Sequence, residues 1–431
     1  HHDALRIVFK EKDGEILQWN QGLDPEGKGF DLEVVDLKDT DNINIKNQIE
    51  TGANKIQGQI RLDSGPLVKL GLFKTCQGDH LLMVIHHLVV DGISWRILLE
   101  DFAVSYRQTQ EGKKIIFPGK TDSYQYWASQ LMEYSRSKTA LAELSYWKQV
   151  EQTEIEQLPK DREIEKEQKK YKNRESFYMY LDEEETEKLL KEVNKAYNTE
   201  INDILIATLA RTIHQWGSVE KVLVAMEGHG RENIFDQVDI NRTVGWFTSL
   251  FPVVLDMTHT STNDLSRDIK QVKETLRKVP NKGIGYGILR YLTPPQEKDG
   301  FVFGLEPEIN FNYLGQFGQE LTQAHHQRLF ELSGMKAGKT LSPEMERPNT
   351  FDFSIMVLEG KLRLSLSYNT YEYEIGTIEG LLNSFKSNLI AIIDHCVNKE
   401  SPELTLSDIS SSSMDEEELE AALDELEEEF L

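Results

Sequence analysis

The block Leu81-Leu82-Met83-Val84-Ile85 is apolar at every position, lacks helical spacing, and stops at two adjacent histidines, His86 and His87. A run of that kind, bounded by polar residues, reads as a buried strand, which needs a layer to pack against. Leu88, Val89 and Val90 follow, then the turn pair Asp91-Gly92. From Ser94 to Gln108 the residues Leu98, Phe102 and Tyr106 recur every fourth position, the stripe of an amphipathic helix. Strand, reactive tip and helix in this order point to layered α/β (α+β) architecture. Side chains alternate along a strand, so the register groups His87 with Ile85 and Met83, and His86 with Val84. Only one of the two histidines then enters a given cavity. Imidazole at such a tip suits proton transfer at ordinary pH, and it equally suits a hydrogen-bonded structural role. No third ligand with zinc-like spacing joins His87 and Asp91, so no metal is expected.

A chain of 431 residues exceeds the size at which one core stops growing, so two lobes are expected. Hydrophobic residues make up 39% and charged residues 28%, which excludes fibrous and disordered classes. The net charge of −25 argues against nucleic acid, whose phosphates it would repel. Cys76 and Cys396 are the only cysteines, too few for a disulfide framework and compatible with a reducing cytoplasm. No apolar run reaches the length of a membrane span.

Residues 1–159 are expected to form an N-terminal lobe. The stretch 160–175 is nearly all charged or amide side chains and reads as a solvated connection. Residues 176–406 then form a C-terminal lobe. It opens on a strand from Ser176 to Leu181 and a helix that Asp182 and Glu185 cap. A helix from Asn202 to Trp216 and a strand from Lys221 to Met226 come next, and two alternating runs separated by Glu359-Gly360 predict a hairpin. The serine-rich 407–413 reads as a linker. In 414–431, ten acids accompany an apolar stripe of Leu419, Leu423, Leu426 and Phe430, which predicts an acidic amphipathic docking helix for a basic, grooved partner.

The strand at Lys221 to Met226 runs into Glu227-Gly228-His229-Gly230-Arg231-Glu232. A carboxylate at the end of a buried strand is a candidate acid or base, and a local ion pair with Arg231 is the structural alternative. The glycines beside His229 permit a tight turn. Three further glycine-bearing segments follow: RTVGWFTSLF at Arg242 to Phe251, GIGYG at Gly283 to Gly287, and FNYLG at Phe311 to Gly315. GIGYG lacks the spacing of a dinucleotide fingerprint. Asn312 and Tyr313 have groups suited to binding an oxyanion, and equally FNYLG suits packing.

Together HHLVVDGISWRILLEDF at His86 to Phe102, EGHGRE at Glu227 to Glu232, RTVGWFTSLFP at Arg242 to Pro252, GIGYG and FNYLG resemble the epimerization domains of nonribosomal peptide synthetases, within the condensation-domain superfamily. The resemblance runs over nearly the whole chain. It implies two chloramphenicol-acetyltransferase-like lobes forming a V-shaped pseudo-dimer with a central tunnel. Condensation domains share the double histidine but usually lack the glutamate of EGHGRE, so Glu227 is the discriminating residue. The segment HHDALR at His1 to Arg6 resembles one that a first strand and motif normally precede, which implies a truncated start; His1 and His2 as tag remnants are the alternative.

The resemblance implies an isomerase acting on an aminoacyl or peptidyl thioester, carried on the 4'-phosphopantetheine arm of an upstream peptidyl carrier domain, with no cofactor bound directly. His87 and Glu227 are implied as the catalytic pair, with His86, Asp91, Gly92, Arg231 and Arg242 supporting them and Asn312 and Tyr313 lining the channel. Arg242 is a further candidate partner for Asp91. The acidic helix is implied to recruit a downstream synthetase, whose first domain is often a condensation domain. The rivals are a condensation domain forming a peptide bond and a noncatalytic module that binds carriers.

Overall fold

The computed structural model describes residues 1–23, 29–260, 264–316 and 330–409. The chain forms two compact units, each assembled from separated segments. The first comprises His1–Glu133, His229–Thr248 and 330–345; the second comprises Tyr134–Gly228, 249–316 and 346–409. This differs from the expected boundary after residue 159. Tyr134 to Pro159 pack with the second unit, because Leu144, Trp147 and Leu158 are buried in its core. The charged stretch 160–175 also belongs to the second unit, where Lys160 pairs with Glu372 and Arg162 with Glu374. Charge density marked its exposure to water, not a boundary between units.

In the first unit, strands β1 (Ile7–Lys12) and β2 (Glu15–Asn20) form a separate hairpin. A three-stranded sheet follows from β3 (Asp31–Asp36), β4 (Val68–Thr75) and β5 (Gly78–Ile85), with β3 parallel to β4 and β5 antiparallel to it. Helix α1 (Asn42–Gln57) packs on it through Ile45, Ile49 and Ile56, which meet Phe73 and Leu37. Helix α2 (Gly92–Gln110) follows β5, as its stripe predicted. Ala4, Leu67, Val89, Ile97 and Val244 form a second small cluster that binds His229–Thr248 into this unit. Helix α3 (Tyr124–Tyr134) ends where the chain passes into the second unit.

The second unit begins with α4 (Lys138–Ala142) and α5 (Leu144–Glu151). Its sheet contains β6 (Arg174–Tyr180), β7 (Lys221–Gly228), β8 (Ser249–Asp256), β9 (Ile309–Gln316), β10 (Phe351–Leu358) and β11 (Lys361–Asn369), in the spatial order β6-β11-β10-β9-β7-β8. The expected hairpin joins β10 to β11, and Glu359 and Gly360 both take positive φ, 49° and 80°, as a tight two-residue turn requires. Helix α6 (Glu183–Lys191) starts at Asp182, whose carboxylate accepts the N–H of Glu185 at 2.9 Å. Between α6 and β7 runs α7 (Ile201–Gly217), and between β8 and β9 lie α8 (Leu265–Arg277) and α9 (Ile284–Gly287). The chain continues after β11 into α10 (Ile375–Val397) and a final turn, α11 (Leu406–Ile409).

Strict alternation gives this sheet two different faces. Phe351, Phe353, Ile355 and Val357 of β10 and Leu362, Leu364 and Leu366 of β11 are buried in one core with α7 and α10. Burying each such side chain contributes about 1.5–3 kcal/mol. The residues between them point the other way. Asn312 lies opposite Ser354, Ser354 opposite Ser365, and Ser365 opposite Tyr178, which makes a polar row across four strands. None of the described helices is long and apolar enough to cross a membrane.

Candidate active site

Strand β5 ends at Ile85, one residue before the histidine pair. Val89 N–H donates to the His86 carbonyl at 3.0 Å and Val90 N–H to that of His87 at 3.3 Å, so His87–Val89 form a 3-10 turn. The alternation expected for a strand therefore stops at His86, because the backbone bonds have moved from sheet to turn. His86 caps the turn, its Nδ1 accepting the Leu88 N–H at 3.2 Å. Burial, followed by the neighbouring His87, holds the His86 imidazole below its ordinary range. It is a neutral acceptor at pH 7. His87 is exposed, and its ring lies 4.6 Å from that of Trp246.

Asp91 is buried and caps α2 by accepting the Ser94 N–H at 2.7 Å. It also accepts the Phe247 N–H at 3.1 Å and pairs with Arg231 at 3.3 Å. The Arg231 guanidinium donates to the carbonyls of Ile240 and Thr243, both at 2.8 Å, and to Ser94 Oγ at 3.1 Å, and it lies 3.9 Å from the Phe247 ring centroid. Ser94 Oγ in turn donates to the Gly245 carbonyl and accepts its N–H. Asp91 and Arg231 thus form a buried knot that sets Trp246 beside His87. Ser94 and Trp246 were missed as participants, since their partners are about 150 residues away in the chain.

Arg242 is not a partner of Asp91. It pairs with Glu100 at 2.7 Å and Asp101 at 2.6 Å on α2. Asp91 already serves Ser94, Phe247 and Arg231, whereas Glu100 and Asp101 offer carboxylates. Gly92 opens α2, and a Cβ there would meet nothing within 4 Å, so packing does not require glycine. His1, His2 and Asp101 bring potential ligand atoms within 4.8 Å of one another. Asp101 is already bonded to His2 at 2.8 Å and to Arg242, whose cation supplies the positive charge a metal would otherwise bring.

In the second unit, Val222 to Met226 are buried and Glu227 emerges half-buried at the end of β7. Asn310 Nδ2 donates to Glu227 Oε1 at 3.0 Å and Asn312 Nδ2 donates to Oε2 at 2.5 Å. Both asparagines stand on β9, parallel to β7, with Ile309 and Phe311 between and beside them in the core. The amide expected to bind an oxyanion is thus bonded to the carboxylate. Asn310 was not singled out from sequence, although the pattern Ile309-Asn310-Phe311-Asn312 carries the signal: two polar side chains on one face of a buried strand. Tyr313 packs against the core instead of lining the Asn312 face, because it stands opposite the fully buried Ile355.

The glycines divide by function. Gly230 needs its positive φ of 66°, while at Gly228 a Cβ would press on Ser249 Oγ. Gly283 has φ +85° and faces the Phe251 ring, and Gly285 abuts the Glu143 carboxylate. GIGYG is therefore a close-packing element. Leu419, Leu423, Leu426 and Phe430 lie outside the described residues. Residues 407–409 do not form the expected linker, since they belong to α11 and Asp408 pairs at 2.5 Å with the buried Lys273; 410–413 lie outside the described residues.

The Condensation domain model matches residues 1–414. The chain belongs to the condensation-domain family. Within this family it is 46% identical over 429 residues to gramicidin S synthase 1 of Brevibacillus brevis, covering 98% of the chain and 38% of that protein. It is 44% identical over 425 residues to surfactin synthase subunit 1 of Bacillus subtilis (strain 168), covering 98% of the chain and 12% of that protein. The chain thus spans well under half of these relatives. The crystal structure of the epimerization domain from the third module of tyrocidine synthetase B is similar at TM-score 0.87 and 44% identity, covering 93% of this chain and 87% of that one. The first condensation domain of the calcium-dependent antibiotic synthetase shares the fold at TM-score 0.62 and 16% identity. This member of the condensation-domain family therefore has the mixed α/β, chloramphenicol-acetyltransferase-like fold of its relatives and closely resembles an epimerization domain.

Proposed function

We propose that this chain is an isomerase that equilibrates the α-carbon of an aminoacyl or peptidyl thioester between L and D forms. The observation that carries the reading is Glu227, a half-buried carboxylate at a strand end with an amide donor on each oxygen. The 44% identity to an epimerization domain supports the same reading. The substrate arrives on the phosphopantetheine arm of a carrier domain.

The chemistry is proton traffic. A base takes the α-proton, and the electron pair of the broken C–H bond moves onto the thioester carbonyl, giving an enolate-like state. A proton delivered to the opposite face of the carbon restores the C–H bond with inverted configuration. His87 and Glu227 are the two transfer groups, each returning to its starting state when the reaction runs in reverse. The Asp91–Arg231 knot fixes the turn that carries His87. Tyr313 has no part in this scheme.

A carrier loaded with one L-amino acid, incubated without any acceptor, tests the reading by chiral analysis of the released product. The expected result is a mixture of L and D forms, with solvent deuterium at the α-carbon. Glu227→Gln and His87→Ala should each slow the exchange by about a hundredfold or more. Retention of the pure L form by the wild-type chain would reject epimerization. Peptide formation only after a second loaded carrier is added would establish the condensation reading, with which the shared His86-His87 pair is equally compatible.

A further inference from the structure

We infer that Asn310 is a positioning residue for Glu227, forming with Asn312 a two-point amide clamp that holds the carboxylate ionised and fixed in rotation. The inference rests on the proposed proton-transfer role of Glu227. The clamp is built by strand geometry. Ile309 and Phe311 are each 1% exposed and anchor β9 in the core, so Asn310 and Asn312 project from the opposite face. Their spacing, roughly 7 Å along a strand, brackets a carboxylate on the neighbouring strand. Ala225 stands opposite Asn310 in register, and its methyl group leaves the amide room to reach forward to Glu227.

The donors decide the resting charge. An amide N–H has only a hydrogen to offer, and each carboxylate oxygen receives one from these two asparagines. A protonated oxygen is a weaker acceptor than a carboxylate oxygen, so protonation weakens a bond of the clamp and these bonds favour the anion. The state that awaits substrate is a proton acceptor. Two bonds, one on each oxygen, also restrain the carboxylate from turning about its terminal torsion.

Described residues of both neighbouring strands stand in register with the clamp. Leu250 of β8 stands opposite Glu227, and Ser354 of β10 stands opposite Asn312. Among the described residues in register with the clamp, Asp352 of β10, opposite Asn310, is titratable. Burial raises its pKa, against the opposing pull of Arg347, which pairs with it at 3.1 Å. Any measurement on Glu227 must separate it from Asp352.

Asn310→Asp provides the test, because it keeps the shape and replaces a donor with a second carboxylate. Infrared difference spectra of each protein against its own Glu227→Gln counterpart isolate the Glu227 titration. In Asn310→Asp that titration should rise by about one pH unit or more, since two carboxylates sharing a site cannot both ionise freely. Asn310→Ala, which removes the donor without adding charge, should raise it less and serves if Asn310→Asp does not fold. The acid limb of α-deuterium exchange should move with the titration. An unmoved Glu227 titration in both variants would overturn the clamp, even if rates fell. Absence of exchange by the wild-type chain, with the titration shifts intact, would reject the epimerase reading and leave the clamp standing.

Discussion

His86 and His87 are chemically identical and adjacent, yet the structure gives them different surroundings. His86 spends Nδ1 on the Leu88 N–H, and burial keeps it neutral. Its depressed pKa means that the native state binds fewer protons than the unfolded chain near and below the ordinary imidazole value. The stability it contributes is complete above about pH 6.5 and is lost as the pH falls. His86→Asn retains an acceptor without a titrating proton. Urea denaturation of the wild type should therefore show a larger fall in stability between pH 7.5 and pH 5 than that of His86→Asn. Equal losses in the two proteins would show that the cap does not titrate. His87 is exposed and its ring lies tilted against that of Trp246, which leaves it the better candidate for chemistry.

At the scale of elements, the segment His229–Thr248 shows how a loop is tied down without regular secondary structure. Arg231 and Asp91 are 6% and 3% exposed at the side chain, and the pair is reinforced by Ser94 and two carbonyls. Removing one partner of a buried ion pair leaves the other charge uncompensated in a poorly solvated place, at a cost of about 3–5 kcal/mol. Arg231→Ala should lose stability on that order, measured by denaturant unfolding. A double-mutant cycle with Asp91→Ala should show coupling of more than about 1 kcal/mol. Additive losses would mean that the two residues act separately. Exposed pairs such as Lys191 with Glu187 on α6 should contribute far less.

For the whole molecule, the second unit has the larger hydrophobic core, while the first is divided among a three-stranded sheet, a hairpin and two small clusters. The chain leaves its last described helix, α11, by way of the Asp408–Lys273 pair, which is anchored among buried residues of α8. The acidic stripe at 414–431 lies beyond that anchor in sequence. A docking role for it predicts that deleting 414–431 weakens association with a downstream synthetase by at least tenfold in Kd while α-deuterium exchange is unchanged. Unchanged affinity in a direct binding titration would remove the docking role, and a parallel loss of exchange would point to a structural one.

Period-two and period-four patterns record which side of a segment is hidden from water, and burial is a local property of the chain. That is why α7 and the Glu359-Gly360 hairpin were legible from residues alone, as were the double histidine and Glu227 as chemical candidates; β5 and α2 were legible as elements, but β5 is only partly buried and the buried residues of α2 are Ser94, Ile97, Asp101 and Ala103 instead of the Leu98-Phe102-Tyr106 stripe. Partner choice among charged groups is not local. Arg231 and Arg242 lie on one irregular segment, yet Arg231 reaches Asp91 and Arg242 reaches Glu100 and Asp101, because packing of that segment against α2 offers each cation a different carboxylate. Asn310 meets Glu227 across 83 residues for the same reason: sheet order places β9 beside β7. The pattern of the chain determined which atoms face outward, and only the tertiary structure decided which of them meet.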